Sequence, residues 1–293
     1  MAKLESFSGL TRKQEDLLKK NYCFGALAMA YFKVQKPEFC FKARGSQSSG
    51  PSKNLLVAGS SSIEYKRNTS VFKFKRSTEG VFNYSIEYVP EALAKELKLG
   101  AESQLTRPTQ KLENSGFLEY CHPNARGKLS ISDSPLTLKG ALTLGYPEYG
   151  LAVDTKFDLN SQKLTTYNAA LYWFRKHRKI VVKHLSKNPE ILELGDVLVS
   201  YYQKLDSKTH IGSSVSFNAH NKTTSVEFGG DYKIDESTKL KGKVATNGIV
   251  SVAYQKQLSD SLGITVASQV DAKKVSSNSI NDFKFGFRLD FNH

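Results

Sequence analysis

The sequence predicts an all-β protein: a transmembrane β-barrel of about nineteen antiparallel strands with one parallel seam and a short N-terminal amphipathic helix inside it. Two observations support this prediction. Apolar and polar side chains alternate with period 2 along most of the 293 residues, and short clusters of turn residues interrupt the alternation. The pattern is clearest near the end of the chain. There Phe283, Phe285, Phe287, Leu289 and Phe291 lie opposite Lys284, Gly286, Arg288 and Asp290.

Composition narrows the class of protein. No run of about 18 apolar residues occurs, which excludes a membrane-spanning helix. The 42 Lys and Arg against 28 Asp and Glu give a net charge of +14, which predicts anionic partners. These basic residues are scattered over the polar faces of strands, so we expect no nucleic-acid partner. The one local cluster, 175–179, is interpreted as a solvated turn.

No set of residues suggests catalysis, a metal site or a cofactor. Cys23, Cys40 and Cys121 have no CxxC spacing, and the six histidines show no ligand spacing such as HExxH. A Gly-rich phosphate loop and a nucleophile elbow are also missing. We therefore expect a protein that is not an enzyme and that holds neither metal nor cofactor.

The first element in the chain is the predicted helix. The first residues contain no apolar stretch that would make a secretory signal. Thr11 and Gln14 have the spacing of a capping box. The apolar residues of this helix, which project within roughly a 100° arc, are Phe7, Leu10, Leu17 and Leu18. A helix this short is marginal in isolation, so it needs a surface to lie on.

The alternating segments follow without a crossover helix between them, so neighbouring strands should pair antiparallel. The predicted strands are 25–34, 37–44, 54–65, 70–77, 81–89, 96–105, 109–121, 126–133, 135–146, 149–159, 162–174, 178–186, 195–204, 209–219, 222–232, 237–245, 248–258, 261–271 and 281–291. Nineteen strands are too many for an open sheet with bare edges. Closing the sheet removes the edges, and an odd number of strands forces the first and last to run parallel.

A closed sheet of this size leaves an aqueous channel, and lysines on the inner face require one, since burying them dry would be prohibitive. On the outer face a Lys or Arg at mid-bilayer depth costs about 2–4 kcal/mol, which accounts for the clean apolar faces. The barrel side chains predicted to line the channel and favour anions are Lys73, Lys75, Lys139, Lys156, Lys239, Lys241, Lys243, Lys284 and Arg288.

Four motifs in order resemble the voltage-dependent anion channel (mitochondrial porin) family. The strongest is Tyr232-x-x-Asp235, followed by Thr238, Gly242-Lys243-Val244, Ser251-Val252 and Tyr254. The others are the stretch 140–146, the stretch from Phe7-Ser-Gly-Leu10 to Tyr22-x-Phe-Gly25, and Lys284-x-Gly286-Phe287-x-Leu289, which matches the membrane-insertion signal of mitochondrial outer-membrane barrels.

The resemblance implies a voltage-dependent, anion-preferring diffusion pore for ATP, ADP, phosphate and small anions across the mitochondrial outer membrane. It implies one membrane domain, 1–293, with a pore helix and hinge at 1–22 and the barrel at 23–293. Gly25 would belong to the hinge. The helix residues that would line the constriction are Arg12, Lys13, Lys19 and Lys20. Expected partners are membrane lipid, the anions in transit, and a further copy of the chain or a membrane complex.

Two departures from the family pattern bear on function. Asn21 and Cys23 take two positions that are usually glycine in the hinge. Phe72 and Phe74 take the outward positions where family members often carry a lipid-facing carboxylate, so regulation attributed to that acid should be missing. Three alternatives remain open: the pore of the outer-membrane protein-import translocase, a non-conducting structural barrel in a larger membrane assembly, and a soluble β protein.

Overall fold

The computed structural model describes residues 4–24, 28–49, 55–90, 96–146, 148–186, 195–274 and 283–292. A 3₁₀ turn (Ser8–Thr11) and helix α1 (Arg12–Leu18) precede a single sheet of nineteen strands. The strands are β1 (Ala28–Gln35), β2 (Phe39–Ser49), β3 (Leu55–Arg67), β4 (Ser70–Ser77), β5 (Val81–Tyr88), β6 (Leu97–Thr106), β7 (Lys111–Cys121), β8 (Ala125–Asp133), β9 (Leu136–Gly145), β10 (Tyr149–Asp158), β11 (Lys163–Arg175), β12 (Arg178–Leu185), β13 (Asp196–Lys204), β14 (Thr209–Asn218), β15 (Thr223–Lys233), β16 (Thr238–Ala245), β17 (Ile249–Ser259), β18 (Leu262–Asp271) and β19 (Phe283–Asn292).

The sheet closes on itself. Each strand pairs antiparallel with the next, and β1 pairs in addition with β19 in parallel, from Met29 opposite Arg288 to Lys33 opposite Asn292. The predicted barrel and its parallel seam are therefore confirmed. We refer to the end of the barrel that carries the turns after odd-numbered strands as the odd-turn end, and to the opposite end as the even-turn end. No helix in the described part of the chain has both the length and the apolarity to cross a bilayer.

Alternation along each strand separates an outer from an inner face. On β4, Phe72 is 44% exposed on the outer face, whereas the neighbouring Lys73 pairs with Glu87 of β5 on the inner face. On β19, Phe285 and Phe287 face outward and Gly286 faces the N-terminal segment. The large exposed apolar side chains thus form the outer surface, which suits contact with lipid rather than water.

Aspartates close several of the hairpin turns. At the odd-turn end Asp235 accepts hydrogen bonds at 2.7 Å from both the backbone N–H and the hydroxyl of Ser237, and Asp206 accepts from the backbone N–H of Thr209 at 2.6 Å. The Ser237 hydroxyl and N–H hold the pKa of the Asp235 carboxyl below its usual range. The Tyr232-x-x-Asp235 motif therefore consists of an outward-facing tyrosine and the side chain that closes the β15–β16 turn.

The predicted strand boundaries differ most from the structure at β2, which extends to Ser49 instead of residue 44. Residues 45–49 lack an apolar alternation, so the sequence pattern ends before the strand does. Their backbone nevertheless pairs with β3 as far as Leu55 opposite Ser49. In a closed sheet the hydrogen-bond ladder sets the end of a strand, whatever the side chains are.

Candidate functional site

The N-terminal segment lies inside the barrel. The backbone carbonyl of Leu4 accepts a hydrogen bond from Arg126 of β8 at 3.2 Å, Glu5 pairs with Lys179 of β12, and Asn21 accepts from Arg288 of β19 at 3.0 Å. These three strands lie far apart around the ring. A segment of about twenty residues that reaches all three must cross the interior.

The apolar side chains of the helix pack against the inner wall. Leu10, Leu17 and Leu18 are 2%, 3% and 0% exposed, and Phe7 is 8% exposed, as the predicted apolar stripe requires. Burial of this stripe supplies the surface that so short a helix needs, and fully burying one such side chain contributes about 1.5–3 kcal/mol.

Glycines allow the helix to approach the wall closely. Gly212 of β14 and Gly229 of β15 lie directly opposite each other on the inner face. A Cβ atom at Gly212 would lie 2.8 Å from Cδ2 of Leu17, and one at Gly229 would lie 2.8 Å from Cδ2 of Leu18. A side chain at either position would therefore force Leu17 or Leu18 away from its present place on the wall.

Polar contacts fix the rotation of the helix and correct one prediction. Thr11 and Gln14 do not form a capping box. The Thr11 hydroxyl donates to Glu15 at 2.6 Å and accepts from Lys183 of β12 at 2.9 Å, and the Gln14 amide oxygen accepts from Ser200 of β13 at 3.1 Å. The capping-box prediction is wrong because the wall offers these side chains partners that a free helix would lack.

Lys241 of β16 holds the C-terminal end of the helix. Its ammonium group donates to the backbone carbonyls of Asp16 and Lys20, both at 2.8 Å, and lies 5.2 Å from the centre of the Tyr22 ring. The carbonyl groups at the C-terminal end of a helix carry the negative end of its dipole, so a lysine stabilises them. Lys241 is 4% exposed, which leaves it little contact with the lumen despite its predicted role there.

Cys23 anchors the chain beyond the helix. It is 3% exposed and packs on a strip of small residues formed by Ala253, Ala267 and Gly286, which are neighbours across β17, β18 and β19. A Cβ atom at Gly286 would lie 1.8 Å from the Cys23 carbonyl oxygen, so only glycine fits beneath this carbonyl. Burial raises the pKa of the Cys23 thiol. The predicted hinge residue Gly25 lies outside the described residues.

The predicted lumen-facing residues of the helix lie on its free side. Arg12, Lys13, Lys19 and Lys20 are all exposed, and the Lys13 ammonium group lies 5.8 Å from the centre of the Phe174 ring of β11. The predicted barrel residues all lie on the inner face, as the strand register requires. Four of them have acidic partners: Lys73 pairs with Glu87, Lys239 with Asp231 at 2.7 Å, Lys243 with Glu227 at 3.8 Å, and Arg288 with Asp290 at 2.9 Å.

Apart from Lys241, which bonds to the helix carbonyls, the remaining predicted lysines are the sources of unbalanced charge. Lys75, Lys139, Lys156 and Lys284 have no ion pair within the ranges that the structure covers. Lys139 and Lys156 lie directly opposite each other on β9 and β10, and the same holds for Lys33 with Lys42 and for Lys233 with Lys239. Like charges directly opposite are destabilising unless water screens them, so these pairs indicate a hydrated, electropositive inner wall.

Sequence reasoning missed Lys179, Lys183 and Arg126. The sequence predicts a solvated turn at 175–179, but Lys179 is 7% exposed and pairs with Glu5. Lys179, Val181 and Lys183 alternate along β12 and therefore lie on one face. This alternation could have indicated that Lys179 belongs to a strand and not to a turn. Nothing in the sequence indicated that the N-terminal segment would cover this face.

Comparison with known proteins agrees with this architecture. The model of the eukaryotic porin family matches residues 5–286. A voltage-dependent anion-selective channel of Drosophila melanogaster is 27% identical over 93% of this chain and 94% of its own length. The non-selective voltage-gated ion channel VDAC1 of Homo sapiens is 23% identical over 99% of both chains. A solved mutant of the Rhodopseudomonas blastica porin, 9% identical, covers 88% of this chain and 96% of its own with a TM-score of 0.53, which supports the barrel fold alone.

The contact between Gly286 and Cys23 predicts that Gly286→Ala displaces the N-terminal segment. The rate at which a water-soluble maleimide modifies Cys23, measured with Cys40 and Cys121 replaced by serine, should rise by about tenfold or more, because displacement removes both the burial and the raised pKa that suppress the thiolate. Gly242→Ala is the matched control, since a Cβ atom there meets nothing within 4 Å. Equal rates for the two variants would contradict the assigned contact.

Removal of the Lys241 ammonium group should loosen the helix. Hydrogen bonds to a charged group contribute about 1.5–3 kcal/mol, so in Lys241→Met the amides of α1 should exchange with deuterium about tenfold to a hundredfold faster. Lys284→Met, also on the inner wall, should leave the exchange of α1 unchanged. The interpretation fails if the two variants exchange alike.

Proposed function

The chain belongs to the eukaryotic porin family, and we propose that it forms a voltage-dependent, anion-preferring diffusion pore in the mitochondrial outer membrane. The observation that carries this proposal is the division of the sheet into an apolar outer surface and a hydrated inner wall with unpaired lysines. The localisation rests on the match of Lys284, Gly286, Phe287 and Leu289 to the insertion signal of outer-membrane barrels.

Electrostatics favours anions in this lumen. Lys75, Lys139, Lys156 and Lys284 add their potentials to those of the exposed basic residues on the helix. Each potential extends over a Debye length of about 8 Å at physiological salt. The potentials of neighbouring charges therefore overlap and extend into the channel. Inner-wall acids such as Glu87, Asp231 and Asp290 are largely engaged by a lysine or arginine at close range. Their partners therefore add little net field. Glu102 and Asp154 on the inner wall have no ion pair among the described residues, but the unpaired lysines and the exposed basic residues of the helix outnumber them and set the sign of selectivity.

The cargo that we propose is small metabolite anions, including ATP, ADP and phosphate. A wide barrel with a hydrated inner wall suits diffusion of anions rather than their tight binding. Conduction requires that a site release an anion as readily as it binds one. Transport of this kind requires no chemical step from the protein. We also propose that the chain is one membrane domain, with the N-terminal segment narrowing the pore and lipid surrounding the barrel.

Charge reversal on the inner wall tests the proposed selectivity. In a KCl gradient across a bilayer the purified protein should give a reversal potential of the sign expected for chloride preference. Lys139→Glu alone should reduce this potential only partly, since no single lysine dominates. The combined Lys75→Glu, Lys139→Glu, Lys156→Glu and Lys284→Glu variant should abolish or invert it.

The control for this measurement is Lys256→Glu, which changes a charge on the outer face of β17 near the odd-turn end and should leave the reversal potential unchanged. Cation preference in the unmodified protein would overturn the proposed selectivity. A protein that inserts without conducting would instead favour a structural barrel.

Deletion of residues 1–20 should widen the pore and weaken its preference for anions. This segment holds five basic and three acidic residues and fills part of the lumen, so its removal takes away both volume and positive charge. We expect a higher conductance and a smaller reversal potential than for the full chain, measured under the same gradient. An unchanged conductance would mean that the segment does not lie in the conducting path.

A further inference from the structure

A groove of about 450 Å³ runs along the outer face of the barrel across β3–β7. Its floor includes the short side chains of Ala101 and Ser103 on β6, and at the neighbouring Gly116 of β7 a Cβ atom would meet nothing within 4 Å. Tyr84 and Ile86 of β5, 50% and 41% exposed, rise beside this floor. The small residues of β6 and β7 thus form the floor of the groove, and the large side chains of β5 form one of its sides.

Two arginines stand at the even-turn end of this groove. The guanidinium carbons of Arg76 on β4 and Arg107, just after β6, lie 5.4 Å and 5.0 Å from the centre of the Phe82 ring. Phe82 is only half-exposed, unlike Tyr84 on the same face, because the two guanidinium groups cover its ring. Both arginines are exposed, and neither has an acidic partner in the portion of the chain that the structure describes.

The depth of these groups matches the layers of a lipid monolayer. Arg76 and Arg107 lie at the last residue levels before the turns, where the apolar band of the barrel ends and lipid phosphates are found. Ser103 is two residues deeper than Leu105, which lies opposite Phe82, and two residues along a strand span about 6–7 Å. That is the depth at which the ester groups of a phospholipid lie.

At the depth of Ser103, polar side chains of β6, β7 and β8 contact one another. The Ser103 hydroxyl donates to the Asn114 amide oxygen at 2.8 Å, and the Asn114 amide nitrogen donates to Asp133 at 2.7 Å. An amide nitrogen carries two hydrogens, and these contacts use one of them. The backbone N–H of Asn114 also donates to Asp133 at 2.7 Å, so two donors from Asn114 hold that carboxylate at the edge of the groove.

We propose that this groove binds one anionic phospholipid of the surrounding membrane. Its phosphate would lie between Arg76 and Arg107, its ester groups at Ser103 and Asn114, and an acyl chain along Ile86 and the apolar wall. Two guanidinium groups that contact one aromatic ring lie at the same end of the groove, where both can reach one oxyanion with several acceptor oxygens. A neutral sterol would leave both charges unpaired. The site requires the barrel to lie in a membrane, but not that it conduct anions.

Native mass spectrometry of the full chain in detergent, with phosphatidylglycerol, phosphatidylcholine or cholesterol added, tests this proposal. The unmodified protein should retain one phosphatidylglycerol in preference to phosphatidylcholine. Each arginine near an anionic lipid surface should strengthen binding about fivefold, so Arg76→Gln or Arg107→Gln should weaken retention about fivefold and the double variant about thirtyfold. Conductance should stay unchanged in all three, since both arginines lie outside the lumen.

Two further variants make the result specific. Arg67→Gln removes an outer-face arginine at the odd-turn end and should leave retention unchanged. Gly116→Leu fills the groove without touching a charge and should weaken retention of phosphatidylglycerol while both arginines remain. The proposal is overturned if the unmodified protein holds both phospholipids equally, if cholesterol alone is retained, if Arg67→Gln acts as strongly as the double variant, or if neither the double variant nor Gly116→Leu weakens retention.

Discussion

The parallel pairing of β1 with β19 is the contact on which the rest of the structure depends. In the hydrocarbon of a bilayer, a backbone N–H or C=O group without a partner costs several kcal/mol, so a sheet that spans it must have no free edge. Eighteen antiparallel pairings leave two edges, and an odd number of strands brings those edges together in the same direction. The seam satisfies both edges and turns a sheet into a channel.

Closure frees the inner wall to serve two purposes. Where the N-terminal segment lies, Gly212, Gly229 and Gly286 leave room for the leucines and the Cys23 carbonyl, and Lys179, Lys183 and Lys241 bond to the segment. Elsewhere the wall carries lysines that face the lumen, several of them directly opposite one another. Such like-charge pairs are tolerable only in water, so the channel must stay hydrated, and a hydrated channel lined by unpaired lysines attracts anions. The packing of the helix and the proposed selectivity thus both follow from one closed sheet.

Much of this architecture could be predicted from local patterns. The alternation of Phe283, Phe285 and Phe287 with Lys284 and Gly286 assigns the faces of β19, and the apolar stripe of the helix assigns its buried side. These features depend on residues that are neighbours in sequence. Strand boundaries followed turn residues well, except at β2, where pairing continues past the last apolar side chain.

The contacts between the helix and the wall could not be predicted, because they join residues far apart in the chain. The bonds from Lys241 to Asp16 and Lys20 span separations of 225 and 221 residues and depend on where the helix lies in the lumen. For the same reason Thr11 and Gln14 contact Lys183 and Ser200 instead of forming a cap.

The central claim is a closed barrel with an apolar, lipid-facing outer surface and a water-filled lumen. Alternating accessibility of side chains along β19 tests it most directly. Single cysteines would replace residues 283–292 in turn in a cysteine-free chain reconstituted in liposomes, and each would be treated with a charged, water-soluble thiol reagent and with a lipid-soluble one. We expect Lys284→Cys, Arg288→Cys and Asp290→Cys to react with the water-soluble reagent, and Phe283→Cys, Phe285→Cys and Phe287→Cys with the lipid-soluble one. Equal access of the water-soluble reagent to both faces would contradict a closed barrel in lipid.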